Sequence, residues 1–115
     1  DTSFSNDGIR LLNVDLNVND VVRSGSGYYL AGEQDGDARI ARINASGTLD
    51  ETWGDNGYSE DLPSWTTTFN SIVVGGNGKI VAAGVGDVNG DSRAMIVRFN
   101  DDGSPDESFN VDGIY

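Results

Sequence analysis

Histidine and cysteine are both missing from the 115 residues, and lysine (Lys79) and methionine (Met95) occur once each. Their absence removes Ser-His-Asp and Cys-His catalysis, His-ligated zinc, thiolate metal sites, haem ligation by His, and disulfides. Long apolar runs are missing too: the longest are three residues, or four with Ala counted, as at Ile72–Val74 and Ile80–Ala83, so no membrane-spanning helix is expected. Positive charge is scarce. Seven Lys and Arg against nineteen Asp and Glu leave a net charge of −12, which repels polyphosphates and anionic lipid, so neither nucleic acid nor membrane insertion is expected. What remains is carboxylate, hydroxyl, amide and six arginines. A glycosidase would need two carboxylates at a set separation, one in an apolar pocket. The sequence shows no such pair, since its Asp residues sit in turns, and the chain reads as non-enzymatic.

The length suits a single domain. Hydrophobic residues are 37% and glycines number sixteen, the composition of a turn-rich chain. The sequence starts at Asp1 instead of Met, which suggests a mature product or an excerpt of something longer. With an acidic, cysteine-free composition, an extracellular or cell-surface bacterial setting is the expectation.

Glycine is abundant because the chain turns often. Short segments rich in Val, Ile, Phe and Tyr recur at Ile9–Val14, Asp20–Arg23, Tyr28–Gly32, Ile40–Ile43, Phe69–Val74, Ile80–Val85 and Ala94–Phe99. Between them lie Ser24-Gly25-Ser26-Gly27, Asp35-Gly36-Asp37, Ala45-Ser46-Gly47, Gly75-Gly76-Asn77-Gly78 and Asp101-Asp102-Gly103. Glycine and asparagine supply the positive φ that tight hairpins need. No segment reads as a long helix, so the expected fold is antiparallel and all-β.

The chain also matches itself. Asp-x-Ser/Thr-aromatic, then four residues, Gly and an apolar residue, occurs at Asp1–Ile9, Asp50–Tyr58 and Asp106–Ile114, offset by 49 and 56 residues. Val21-Val22 with Tyr28–Gly32 matches Val73-Val74 with Ile80–Gly84 at offset 52. Ala38–Asn44 with Gly47 matches Ala94–Asn100 with Gly103 at offset 56. These offsets place three inserted residues between Gly57 and Val73 and four between Gly84 and Arg98, both expected in loops. The domain therefore divides into repeat one (about 1–49), repeat two (about 50–105) and a third motif copy (106–115). A period near fifty residues with three or four strands per unit is that of a propeller blade.

Asn77-Gly78-Lys79-Ile80-Val81-Ala82-Ala83-Gly84 and Arg98-Phe99-Asn100-Asp101-Asp102-Gly103-Ser104-Pro105-Asp106 resemble the delta-60 type of bacterial β-propeller repeat. Repeat one departs from that pattern at Ser26-Gly27-Tyr28 and Ser5. The resemblance covers essentially the whole chain and implies two tandem blade-like antiparallel sheets, incomplete as a closed propeller, and little chemistry. Closed rings use ~4–8 blades. Two sheets therefore call for company: adjacent repeats of a longer chain, copies of the same chain, or each other in a sandwich. Three motif copies flanking two of everything else favour an excerpt or an interlocked assembly.

Several residues are candidate sites. Asp87, Asn89 and Asp91 alternate like the first ligands of a calcium loop, but Ser92 stands where that loop needs Gly and Arg98 where it needs Glu. Asn89-Gly90 is equally a hairpin signal, and the plain hairpin is the reading adopted. Trp65, after Leu62-Pro63-Ser64, is the candidate sugar-stacking platform on an exposed loop, whereas Trp53, in place of Phe4 and Phe109, reads as core. The motif Asp residues read as turn caps, and Arg42 and Arg98 as partners of those Asp residues. Gly75-Gly76-Asn77-Gly78-Lys79 lacks the first glycine and the following helix of a phosphate loop. The expected function is a structural or interaction module of a secreted or surface protein, used in self-assembly or adhesion. The alternative is a calcium-stabilised carbohydrate-binding module.

Overall fold

The structure, a computed structural model, describes residue 12 and residues 14–109. Six strands run β1 (Asn17–Ser24), β2 (Gly27–Gln34), β3 (Asp37–Ile43), β4 (Thr66–Val74), β5 (Ile80–Val88) and β6 (Asp91–Phe99). They form two antiparallel sheets, β1-β2-β3 and β4-β5-β6, and there is no helix among the described residues. The blade-like expectation holds. Of the expected segment Ile9–Val14, only Leu12 and Val14 are described, and neither is in a strand. The first motif copy and the end of the third lie outside the described residues.

The hairpins follow their turn residues. Asp35-Gly36 (φ 52° and 84°) and Asn89-Gly90 (φ 54° and 85°) each carry two positive φ values, the type I′ geometry whose twist suits the strands it joins. Gly25 (φ 60°) opens a two-residue turn closed by the Ser24–Gly27 pair. The four-residue insertion, expected in a loop, instead lengthens this hairpin design: β5 and β6 pair from Ile80–Phe99 out to Val88–Asp91, whereas β2 and β3 stop at Gln34–Asp37. Two extra residues on each strand preserve the turn and leave every side chain on its face, because side chains alternate with period two.

The sheets stack face to face. Tyr29, Ala31, Ala38 and Ile40 of the first sheet meet Phe69, Ile72, Ile80, Ala82, Met95, Val97 and Phe99 of the second, with Val22, Leu62, Trp65 and Val74 at the margins. Phe69 and Phe99 meet edge to face at 6.0 Å. Complete burial of side chains this size stabilises by roughly 1.5–3 kcal/mol each. The opposite face of the first sheet, Leu30, Ala41 and Ile43, is closed by Leu12, Val14, Leu16, Leu49 and Tyr58.

Repeat equivalence shows what this stack is. Tyr29, Ala31, Ala38, Ile40 and Arg42 correspond to Val81, Ala83, Ala94, Ile96 and Arg98, yet the former face the seam and the latter face outward. Leu30, Ala41 and Ile43 correspond to Ala82, Val97 and Phe99, which line the seam from the other side. The units therefore stack front to back, each presenting the same side to its successor.

The strand edges also have an order. Arg42 N–H donates to the Gly57 carbonyl (2.9 Å), Ser59 N–H donates to the Ile40 carbonyl (2.8 Å), and Tyr58 bridges Ala41. Residues 50–59, placed by sequence at the head of repeat two, thus run along β3 of the first sheet. That arrangement gives the surplus motif copy a physical meaning: the second copy completes the sheet before it.

Candidate functional site

The repeated motif is a turn cap, as its chemistry suggests. Asp50 Oδ1 accepts from the Thr52 N–H (3.1 Å) and hydroxyl (2.5 Å), and Asp106 Oδ1 accepts from the Ser108 N–H (3.0 Å) and hydroxyl (2.6 Å). Each Asp N–H also donates to the carbonyl of its strand arginine, Asp50 to Arg42 and Asp106 to Arg98, both at 2.8 Å. Asp106 is buried and in addition accepts from Arg98 Nε at 2.9 Å, with Lys79 Nζ at 3.5 Å. The Ser108 hydroxyl first, then its N–H, Arg98 and Lys79, hold the Asp106 carboxyl at about 2, against desolvation that pushes it up.

The equivalent arginine behaves differently. Arg42 lies 4.5 Å over the Tyr29 ring, as Arg98 lies 4.6 Å over Phe109, but it donates from Nη2 to the Ser24 carbonyl (3.0 Å), so the expected pairing with a motif Asp holds for Arg98 and is replaced at Arg42 by a carbonyl. Tyr29 in turn tilts against Trp53 at 5.3 Å. Trp53 is core, 8% exposed, and its Nε1 donates across the seam to the Asp101 carbonyl (2.8 Å). A Cβ placed on Gly103 would come within 3.1 Å of the indole, so glycine there lets the second sheet's turn close over the ring.

Of the candidate ligands, Asp87 pairs with Ser92 and Asp91 with Val88, so the two carboxylates project to opposite faces of the hairpin with Asn89 at its tip. Among the described residues no three Asp or Glu come together to hold a metal ion. Trp65 is half-buried rather than exposed: its ring lies against Gly86, where a Cβ would sit 2.7 Å from Cε3, and its carbonyl accepts from the Asp87 N–H (2.7 Å). The structure thus puts Trp65 on the seam side, the face opposite to that of the Asp87 side chain.

A shallow hollow of about 520 Å³ opens where the sheets meet, lined by Thr52, Trp53, Gly54, Asp55, Glu60 and Asp102. Asp102 accepts from the Ser104 hydroxyl (2.6 Å) and N–H (2.9 Å), bonds that hold its carboxyl below the usual value. That hollow is acidic and open.

Sequence reasoning missed Asn19 and Asp20. Asn19 Nδ2 donates to the Phe69 carbonyl (2.8 Å) and Thr68 Oγ1 (3.0 Å), and Asp20 Oδ2 accepts from the Ile72 N–H (2.9 Å). They bond β4 around the irregularity between Phe69 and Ser71, satisfying backbone groups that the sheet ladder leaves free. β4 is the edge strand of its sheet, and these groups lie on the side that no strand pairs, so the pairing follows from how the two sheets stack and no sequence signal announced it.

On the outward side of the second sheet Val73 (56% exposed) and Ile96 (41%) stand among Val81, Ala83, Val85 and Ala94. Stacked, repeated and open on one side, this is a propeller-blade arrangement. A domain of unknown function of the beta-propeller type, DUF5122, matches residues 26–52 and 75–109, together more than half of the chain. The chain belongs to the DUF5122 beta-propeller family. Both matched stretches of this DUF5122 chain span the two later strands of a sheet, with the motif Asp following, so the family pattern and the internal repeat mark the same structural unit. No curated protein and no solved structure matches the chain.

Proposed function

We propose that this beta-propeller chain is a non-enzymatic structural and interaction module of a secreted or cell-surface bacterial protein, working by the stacking of its sheets on neighbouring protein surfaces. One observation carries the reading: the side of the repeat that is buried at Ala31, Ala38 and Ile40 is presented open at Ala83, Ala94 and Ile96. An apolar sheet face open on one unit and covered on its twin is a surface built for protein contact. The acidic, cysteine-free composition supports the extracellular setting.

The test is unfolding of the whole chain by urea, followed by backbone exchange in both sheets. A single transition that protects Ala31 and Ala82 alike is expected of a stacked module. Two separate transitions, one per sheet, would mean that stacking is not what holds the units together. For the calcium-dependent carbohydrate reading, the opposite projection of Asp87 and Asp91 and the half-buried position of Trp65 against Gly86 offer no favouring observation.

A further inference from the structure

Three asparagines, Asn56, Asn77 and Asn89, are exposed and each precedes a glycine. Such a pair carries its own reaction. The glycine nitrogen, on losing its proton, attacks the asparagine Cγ. The bond from Cγ to the side-chain nitrogen breaks and ammonia leaves with that proton, closing a five-membered succinimide. Water then opens the ring at either carbonyl. One opening leaves an ordinary aspartyl residue, the other an isoaspartyl residue whose main chain runs through the side-chain carbon. Both reacting groups belong to one chain, so their geometry sets the rate, and glycine offers no Cβ to hinder the approach.

The fold treats the three pairs unequally. Gly57 is buried against Leu49, and its N–H donates to the Trp53 carbonyl (2.8 Å) inside a turn closed by bonds in both directions between Asp55 and Tyr58. Gly78 N–H donates to the Gly75 carbonyl (3.0 Å), and Asn77 Oδ1 accepts from the Lys79 N–H (3.0 Å), so nucleophile and electrophile are both held. At the third pair neither is. Among the described residues the Gly90 N–H and the Asn89 side chain have no hydrogen-bond partner, and both residues are exposed.

Position adds to this difference. Asn89-Gly90 is the tip of the β5–β6 hairpin, beyond the Val88–Asp91 pair, on the two rungs by which this hairpin outreaches β2–β3. Opening the tip disturbs only its last rung, whereas opening at Gly57 disturbs the segment that runs along β3. The matching tip of the first sheet shows what one product looks like. Asp35-Gly36 holds φ of 52° and 84° where Asn89-Gly90 holds 54° and 85°, so an aspartyl residue fits this turn. An isoaspartyl residue lengthens the main chain of the turn by one atom and does not.

We infer that Asn89 is a self-modification site, at which the folded chain converts asparagine to aspartyl and isoaspartyl through attack by the Gly90 nitrogen. Each event adds one negative charge to a tip that already carries Asp87 and Asp91.

The test holds the intact chain folded at mildly alkaline pH, and in parallel in urea, and follows each Asn-Gly peptide by mass spectrometry for a gain of about 1 Da, with an isoaspartyl assay alongside. In the folded chain Asn89 should convert first, with Asn56 and Asn77 about tenfold slower, a factor set by the hydrogen bonds that must open before attack. In urea the three rates should draw together, since the bonds that separate them are gone. Asn89→Gln should remove the early product without speeding the other two, because its ring closure needs one more atom. Asn56 or Asn77 converting as fast as Asn89 in the folded chain would overturn the assignment. So would an order of rates that persists in urea, an early product that survives Asn89→Gln, or a folded chain intact at Asn89 over the time in which urea converts all three.

Discussion

The hairpins β1–β2 and β4–β5 enclose equal lengths of chain, five residues between Val22 and Tyr28 and five between Val74 and Ile80, yet pair one residue apart. Val22 is opposite Tyr29, the second residue of its pair, whereas Val74 is opposite Ile80, the first. Ser24-Gly25-Ser26-Gly27 closes on two residues. Gly75 N–H instead donates to the Lys79 carbonyl (2.9 Å), and Gly78 (φ 80°) ends a three-residue loop. A one-residue slip turns a strand's side chains over. Here that is what the stack requires: the two sheets present opposite sides to the common core, and the slip lets the equivalent residues Val22 and Val74 both pack against it. Val21 and Val73 are then both left outside, at 54% and 56% exposure. Equal repeats thus solve unequal positions by changing a turn.

The strongest way to break the comparison is to place the same charge at equivalent alanines. Ala31→Asp buries an unpaired carboxylate in the seam and should cost about 3–5 kcal/mol in urea unfolding, enough to unfold much of the population. Ala83→Asp, at the same register position on the half-exposed outward face, should cost under ~1 kcal/mol. Similar losses would refute the front-to-back stack.

A second pair should behave alike instead. Gly32 and Gly84 lie where the irregular edge strands come closest, and a Cβ would sit 1.8 Å from the Asn17 carbonyl oxygen and 1.9 Å from that of Thr68. Alanine at either position should cost about 2–3 kcal/mol by overpacking, read from the midpoint of denaturation. A difference of more than ~1 kcal/mol between them would show that the two edges are built differently.

Next in size, Trp53→Phe converts the seam aromatic to the residue type of Phe109 and removes the indole donor to Asp101. A loss of about 1 kcal/mol is expected from the deleted hydrogen bond, whereas Phe109→Trp should change stability little.

The acid limb is the finest test. The Asp106 carboxyl titrates at about 2 in the fold against 3.8 for its free value, so its contribution is complete above 3.8 and is lost as pH falls toward 2. Unfolding followed from pH 5 to 2 should weaken over that window, and Asp106→Asn should flatten this part of the profile. An unchanged profile would mean that the Ser108, Arg98 and Lys79 contacts do not hold the carboxylate.

Much of this was legible beforehand because it is local. The turn residues Asp35-Gly36 and Asn89-Gly90 place two hairpin tips, and the recurring Asp-x-Ser/Thr caps its own backbone within three residues. The core position of Trp53 follows from its standing where other copies carry Phe. Other features depend on partners far along the chain. Trp65, read as an exposed loop residue, is drawn inward because Gly86 leaves a flat place for its ring. Arg42 lacks the carboxylate pairing of Arg98 and reaches the Ser24 carbonyl of a distant turn instead. Asn19 and Asp20 matter only because the unpaired edge of β4, some fifty residues away, is stacked beside them.

The sequence by itself determined the repeating unit, its turns, its caps and the alternation that gives each strand two sides, since all of these arise from neighbours within a few residues. Tertiary structure alone decided which of two chemically matching sides is kept dry. Burial belongs to a pair of surfaces, and identical residues such as Ile40 and Ile96 acquire opposite fates when one has a sheet laid over it and the other does not.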